Sequence, residues 1–326
     1  MSVPQYLRKI SLKVGDADKA IDLSDLRIRF SVRRGDISTP NTADIRVYNL
    51  SDDTIKRIQK EFERVVLQAG YAGNYGTIFD GTIKQVRRGR ESQTDTYIDI
   101  TAADGDSAYN FGVMNVTLAA GSTAQDHLDQ VLKSLASRGI TMGEAPELSA
   151  ARLPRGKVFY GMTRDFLDSL GRTQDVSWSF QDGKLTLIPN NAYLPGEAVV
   201  VTSATGMVGL PEQNQNGTNV KTLLNPGVRV GKRIKLDNSS IQRLRLNPAP
   251  LGQPAVDLAL IQIRTDSDGF YKVLVANHYG DNRGNDWYTE TLCIAVDASV
   301  TNSSMIKAGT GIPGVIAAPG PVKPFG

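Results

Sequence analysis

Apolar and polar residues alternate along much of this chain, which is the pattern of β-strands that bury one face. Two long hairpins of this kind repeat one layout. The first is predicted over 79–103 with a polar loop at 89–93, and the second over 270–296 with a loop at 280–286. In each, a loop that begins with glycine joins two strands of similar length. The repeat predicts two related antiparallel β units, which suit a ring-building subunit better than an enzyme.

Residues 1–105 are predicted to form the first β domain, which holds one helix. Alternation over 26–32 and 43–48 indicates half-buried strands. Ser51 can cap the free amides at the start of a helix, and the two aspartates that follow it favour the positive end of the helix dipole. The apolar stripe of this helix consists of Ile55, Ile58 and Phe62.

Residues 106–195 have a different pattern and are predicted to form a small α+β insert domain. A possible capping box at 122–125 starts a helix with apolar residues on one face, and Gly139 ends it. A shorter helix is predicted to begin at Thr163 and to end near Gly171. Two predicted helices therefore distinguish the insert from the β domains, since the first β domain has one predicted helix and the second has none.

The insert closes with a hairpin, because Asp182-Gly183 joins two alternating segments and Asp-Gly favours a type I′ turn.

Residues 196–300 return to strand patterns and are predicted to form the second β domain. The Gly- and Pro-rich tail, 301–326, has little to bury and is expected to be extended and ordered only if a neighbour holds it. The fold class is thus mainly β, or α+β overall. Strands of the second β domain are predicted over 199–202, 220–224, 228–236 and 258–265.

Composition narrows the class of protein. A hydrophobic share of 40% and a charged share of 22% are typical of globular domains, and 326 residues suffice for two or three of them. The net charge of +3 is too small to indicate a nucleic-acid-binding protein. No apolar run approaches the length of a membrane span and no secretion signal is present, so we expect a soluble protein made in a cytoplasm.

The residue types that catalysis and metal binding need are scarce. His127 and His278 are the only histidines, no G-x-S-x-G elbow supplies a nucleophile, and the single cysteine, Cys293, has no disulfide partner. Loop 281–286 is similar to a calcium loop but lacks its terminal glutamate. The G-x-G-x-x-G match at 309–314 contains a proline and no helix follows it. We therefore predict no catalytic, cofactor-binding or metal-binding residue.

Basic residues cluster at three places within the strand patterns. Charged outward faces and protected strand edges are the favoured interpretation, and a basic wall on a channel or a docking face is the alternative. Sequence-specific DNA binding is not indicated, because no recognition helix or set of stacking aromatics accompanies these residues. The clusters are Arg33 and Arg34, then Lys84, Arg87, Arg88 and Arg90, and finally Arg229, Lys232, Arg233 and Lys235.

Seven short segments carry a resemblance to a known family: 43–51, 69–71, 79–81, 206–211, 223–227, 268–273 and 284–289. In their order and spacing they resemble the baseplate hub proteins of phage tails, over most of the chain. The resemblance implies two related antiparallel β-barrel domains with the α+β domain inserted between them. In such hubs the two barrels alternate around a trimer and form a pseudo-sixfold ring, which joins the hexameric tail tube to the trimeric spike and leaves an axial passage.

The resemblance also implies partners and a location. The implied partners are two further copies of the chain, the tail tube or distal tail protein, the trimeric spike, the tape-measure protein, and DNA in transit. The location is the virion tail baseplate, after assembly in the host cytoplasm, with no membrane anchor, no cofactor and no enzymatic motif.

Three alternatives remain. The hub of a tailocin or injection particle would have the same fold. A tail-associated cell-wall hydrolase would need a carboxylate pair or a nucleophile in a cleft. A nucleic-acid-binding β protein would show steep salt-dependent retention on DNA.

Overall fold

A computed structural model describes most of the chain: residues 6–15, 19–214, 217–237, 242–243 and 269–295. Within them, one sheet of fourteen strands holds strands from both ends of the chain, and two small sheets come from its middle. The predicted strand at 258–265, the tail 301–326 and the motif at 309–314 lie outside the described residues. No helix among the described residues is long and apolar enough to cross a membrane.

The first β unit consists of seven antiparallel strands and one helix, in the spatial order β2-β1-β5-β6-β7-β4-β3. Its longest strand, β6, begins at Asn74, directly after a two-residue turn that follows β5, and not at Phe79 as predicted. The elements are β1 (Arg8–Gly15), β2 (Ala20–Asp22), β3 (Ile28–Gly35), β4 (Thr42–Tyr48), α1 (Asp52–Glu61), β5 (Arg64–Tyr71), β6 (Asn74–Arg90) and β7 (Thr96–Ala103).

Helix α1 forms as predicted. The Ser51 hydroxyl accepts the amide hydrogen of Thr54 at 3.2 Å, which satisfies one of the free donors at the helix start. Ile55, Ile58 and Phe62 are buried in the core of the first β unit. That core also includes Leu224 and Trp287, which come from the region of the second β unit.

The middle of the chain forms helices around two small sheets, β8–β10 and β11–β12–β9. Their core holds Leu128, Val131, Phe166, Trp178 and Leu187. The elements are α2 (Asp106–Phe111), β8 (Val113–Leu118), α3 (Ala124–Leu135), β9 (Thr141–Met142), β10 (Lys157–Met162), α4 (Thr163–Gln174), β11 (Val176–Gln181) and β12 (Lys184–Pro189).

Two helix ends in the middle region differ from the prediction. The capping box is formed by Thr123 and Asp126, one residue later than expected, because the carboxylate of Asp126 reaches back to the Thr123 amide at 2.8 Å. Helix α4 does not end near Gly171 but runs to Gln174. Gly171 lies inside the helix because it touches β11: a Cβ there would come within 2.6 Å of the Val176 carbonyl oxygen.

The second β unit surrounds a core that includes Val201, Val220, Ile234, Tyr271 and Val273. Its described strands are β13 (Val199–Val201), β14 (Glu212–Asn214), β15 (Gly217–Leu223), β16 (Arg233–Leu236), β17 (Gln242–Arg243), β18 (Phe270–Asp281) and β19 (Trp287–Ala295). The predicted strand at 228–236 is wrong over its first half. Gly231 adopts a left-handed conformation there (φ +80°) and packs against Leu194, so the chain turns before β16 begins.

The two β units form one sheet, because β3 of the first pairs with β18 of the second. The main strand path is β17-β14-β15-β19-β18-β3-β4-β7-β6-β5-β1-β2, with β16 beside β18 and β13 beside β16. The mainly β architecture with large antiparallel sheets is confirmed. Within the described residues this path is open at both ends and closes no barrel.

Candidate functional site

The two predicted hairpins are β6–β7 and β18–β19, and both carry a one-residue bulge in their first strand. In the first hairpin Lys84 is the extra residue between Ile83 and Gln85. In the second, Leu274 is the extra residue between Val273 and Val275. Because a bulge bends a strand and increases its twist, the shared position supports a common origin for the two hairpins.

The strands that flank the hairpins also correspond. Before its bulge, β6 pairs with β5, and β18 pairs with β16. On the other side, β7 pairs with β4, and β19 pairs with β15. The order β5-β6-β7-β4-β3 in the first unit is therefore matched by β16-β18-β19-β15-β14 in the second.

The hairpins differ in what covers the outer edge after the bulge. In β18, Val275–Asp281 pair with Gly35–Arg29 of β3. In β6, the corresponding residues Gln85–Arg90 pair with β7 on one side and with no strand of the described residues on the other. A strand edge of this length presents unpaired peptide groups that can accept another strand.

A polar face runs across the sheet on the side opposite its cores. Register places Arg46 across from Asp99, and their side chains form a two-pronged ion pair at 2.7 and 3.0 Å. Lys221 and Glu290 pair at 3.3 Å on neighbouring strands of the second unit. Other members of this face are Arg29, Ser31, Arg33, Asp44, Gln85, Arg87, Thr101, Asn277, Tyr279 and Tyr288.

Opposite charges neutralise much of this face. Arg33 lies 3.6 Å from Asp44, and the ammonium of Lys221 also lies 3.6 Å from the centre of the Tyr288 ring. Burial, followed by the nearby carboxylates of Asp286 and Glu290, raises the pKa of Tyr288 to about 12, so this phenol stays neutral at physiological pH. The face is thus polar, and several of its basic side chains are paired with carboxylates.

A buried ionic cluster fastens the middle region to both β units. Arg34 of β3 is 3% exposed and pairs with Asp182 at 3.0 Å, while Arg229 reaches the same carboxylate at 2.8 Å. The amides of Asp182 and Gly183, which form the predicted Asp-Gly turn, donate to the Asp104 carboxylate at 2.5 and 2.9 Å. Burial raises the pKa of Asp104 to about 7.

A second buried pair lies nearby. Lys272 of β18 is 3.3 Å from Asp36 and donates to the Pro189 carbonyl at 2.8 Å. Ser177 of β11 also donates to Asp36. Together these bonds connect all three parts of the chain, and because a buried charge without its partner is costly, they hold the insert in one position.

A family model described as baseplate hub gp41 matches residues 7–253. The chain belongs to the baseplate hub gp41 family. It is therefore a structural component of a phage tail baseplate, as the sequence predicted. No protein of curated function matches the sequence.

Two solved structures share the fold of this hub protein. The 43 kDa tail protein of prophage MuSo2 from Shewanella oneidensis matches with a TM-score of 0.55 and 8% identity, over 89% of this chain and 98% of that one. The tail protein from Neisseria meningitidis MC58 matches with a TM-score of 0.55 and 10% identity, over 89% of this chain and 97% of that one.

The basic clusters of this hub protein are mostly paired rather than assembled into one wall. Arg34 is buried, which contradicts an outward position for it. Lys84 and Arg88 pair with Asp106 and Asp52 at 2.9 and 2.5 Å. Lys232 pairs with Glu144, and both Arg233 and Lys235 lie over the Phe270 ring.

The residues weighed for catalysis are buried. His127 lies in the middle region, whereas His278 and Cys293 lie on the paired strands β18 and β19. His278 is fully buried beside Thr289, and this burial lowers its pKa to about 3. His127 faces the Phe166 ring in the middle region, and burial lowers its pKa as well. Cys293 is buried in β19, which raises the pKa of its thiol.

Arginines bind loop 281–286 at several oxygens, although Arg283, Asn285 and Asp286 are exposed. The Arg8 guanidinium donates to the carbonyls of Gly284 and Asn285 at 2.6 and 3.1 Å, and Arg27 pairs with Asp281 at 2.9 Å. These cations occupy oxygens that a calcium ion would need. Within the described part of the chain, no group of three or more acidic, His or Cys side chains could hold a metal.

Proposed function

We propose that this hub chain forms a trimeric, pseudo-sixfold ring that joins the hexameric tail tube to the trimeric spike and leaves an axial passage. Its role is structural, without enzymatic activity. The free outer edge of β6 supports the proposal most strongly, because the equivalent edge of β18 is covered by a strand from the other β unit.

The junction between β3 and β18 is a template for the contact between subunits. In the second unit, β14 takes the place of β3, since it precedes β15 as β3 precedes β4. Residues 207–214 run antiparallel beside β15, through a bridge between Met207 and Thr222 and the pairs of β14. We infer that this segment of one subunit covers Gln85–Arg90 of the next.

Exposed apolar side chains fit this contact. Val208 and Leu210 are 43% and 51% exposed in the single chain, although they lie in the proposed donor segment. Two residues of β14 already pair with β17, so the contact would rest mainly on 207–211. Three such contacts, alternating with three β3–β18 junctions, close a ring of six β units.

The polar face of the sheet then lines the passage. Both cores and helix α1 cover the opposite side of the sheet. On the polar face the side chains of Lys221 and Glu290 are 41% and 46% exposed, whereas Arg46 is buried and its partner Asp99 is 27% exposed. A polar lining with paired charges suits a water-filled passage for the tape-measure protein and DNA, because pairing weakens its attraction for either. We further propose a tube or distal tail protein at one end, a spike at the other, and assembly in the host cytoplasm before incorporation into the virion.

Mass photometry of the purified chain, alone and with its spike, tests the ring. We expect three copies per particle, and fewer in a variant with Val208→Glu and Leu210→Glu. Val200→Glu is the matched control, because Val200 is 49% exposed but lies on β13, outside the proposed contact. A strict monomer both alone and with the spike would contradict the proposal. Zymography on peptidoglycan checks the second part, and we expect no clearing.

A further inference from the structure

The middle region carries an exposed apolar patch that the ring does not use. It lies on the ribbon formed by β8 and β10 and on the end of α2 next to it. Phe111, Val113, Val158 and Tyr160 are 62%, 56%, 72% and 79% exposed. We call these four residues the ribbon patch.

The ribbon has one buried face and one uncovered face. Met114 and Leu118 of β8 pack into the core of the middle region, and the Phe159 ring of β10 lies 4.4 Å from the Phe166 ring. Side chains alternate along a strand, so Val113, Val158 and Tyr160 point the other way. In a soluble protein, aromatic and β-branched side chains grouped on an uncovered face indicate a binding surface.

The edges of the ribbon are also open. Within the described residues, β8 and β10 pair only with each other. Strand β8 has none of the charged side chains or prolines that commonly protect an edge, and β10 has only Lys157 at its start. The ribbon can therefore bind through its backbone as well as through its outer face.

Basic side chains precede the second strand of the ribbon. Residues 107–122, which include β8, contain no charged side chain, and residues 148–156, which lead into β10, contain two basic side chains and no acidic one. The two are Arg152 and Arg155. Basic residues around an apolar centre favour a partner that presents carboxylates around apolar anchors.

We propose that the ribbon patch is a docking surface for a second tail protein, which contributes an apolar segment flanked by acidic residues. A protein fits better than a lipid surface, because Asn115 and Thr117 alternate with the apolar positions and lie opposite Tyr160 and Val158. Their amide and hydroxyl groups need hydrogen-bond partners, which a protein strand supplies and a lipid interior does not.

Assembled tails and the isolated chain provide the test. Tyr160 is nitrated with tetranitromethane in both, and modification is read by mass spectrometry. We expect several-fold less nitration of Tyr160 in tails. In parallel, Arg155→Lys adds an amine for zero-length carbodiimide coupling, and we expect the new lysine to couple to a carboxylate of a different protein in tails.

Variants separate docking from folding and from ring formation. Val158→Glu and Arg155→Glu should reduce incorporation into tails several-fold, with the thermal unfolding midpoint and the number of copies per particle unchanged. Val158→Thr is the matched control and should retain incorporation. A change in copies per particle would implicate the ring instead of the ribbon.

Two results would overturn the docking proposal. One is equal nitration of Tyr160 in tails and in the isolated chain, together with normal incorporation of Val158→Glu. The other is sedimentation of the isolated chain with phosphatidylethanolamine–phosphatidylglycerol vesicles that is lost in Val158→Glu, which would assign the patch to a lipid surface.

Discussion

The hairpins β6–β7 and β18–β19 share a bulge position and the same order of neighbouring strands, yet only the second is covered on both edges after the bulge. The covered hairpin contributes Trp287, Tyr271 and Val273 to the buried cores. The open one ends in exposed basic residues such as Arg87 and Arg90. The same element is therefore completed within the chain in one copy and left open in the other, and the open edge is the one that we propose a neighbouring subunit covers.

The largest expected effect is the loss of stability when Trp287, the first residue of β19, is replaced. The equivalent first residue of β7 is Thr96. Trp287 is 2% exposed, meets the Phe30 ring edge-on at 5.6 Å and donates to the Gly70 carbonyl at 3.3 Å. Trp287→Ala should lower the free energy of unfolding by about 3–5 kcal/mol, measured by urea denaturation. Thr96→Ala, at the same place in the first hairpin, should change it by less than about 0.5 kcal/mol. Equal losses would show that the two hairpins are packed alike.

Next in size is the buried cluster that holds β3 against its neighbours. Arg34→Met removes one partner of Asp182, whose side chain is 17% exposed, and should destabilise the subunit by about 3 kcal/mol. Arg229, with a half-exposed side chain, also contacts Asp182, so Arg229→Met should cost less. Urea denaturation of both variants checks the order, which would be reversed if Arg229 were the main support of Asp182.

The free energy of unfolding should also depend on pH through His278, which lies in the covered hairpin. His278 has a pKa of about 3 in the folded chain, below the ordinary value of 6.5, so the unfolded chain binds more protons between these values. The contribution of His278 is therefore fully present above about pH 6.5 and is lost as the pH falls toward 3. His278→Gln removes this dependence, so stability curves of variant and wild type should converge as the pH falls from 7 to 4. Parallel curves would show that His278 is accessible to protons.

The smallest effect is expected at the open hairpin. Arg88 pairs with Asp52 at 2.5 Å, but both side chains are at least half exposed. Arg88→Ala should change the stability of the single subunit by less than about 1 kcal/mol in thermal denaturation. A loss as large as that of Arg34→Met would mean that the open hairpin is already buried within one subunit.

Local pattern predicted β3, β4, both long hairpins, helix α1 and the Asp-Gly turn, because each depends on neighbouring residues, but it missed β1 and both strands of the ribbon, β8 and β10. The alternation in β3 also indicates that Arg34 is buried, because Arg34 lies on the same side of the strand as the buried Ile28, Phe30 and Val32. A charge in an apolar register indicates a buried ion pair. Its partner, Asp182, could not be predicted, because nothing local reports a contact so far along the chain.

The candidate site was predictable only in part. The repeated hairpins were visible in the sequence, and the boundaries at 105, 195 and 300 remain predictions. The pairing of β3 with β18 was not visible, because it joins residues about 250 positions apart, such as Arg29 and Asp281. Alternation alone also could not show which edge of β6 lacks a neighbouring strand. The period of two along a strand is the same whichever strands pair with it.

Amide hydrogen exchange over Gln85–Arg90 tests the central claim most directly. The amides of this segment that point away from β7 should exchange rapidly in a dilute single subunit and slowly in the assembled ring. Those of Val275–Asp281, which β3 already covers, should be protected in both. Protection of Gln85–Arg90 in the single subunit, or rapid exchange in the ring, would contradict the account.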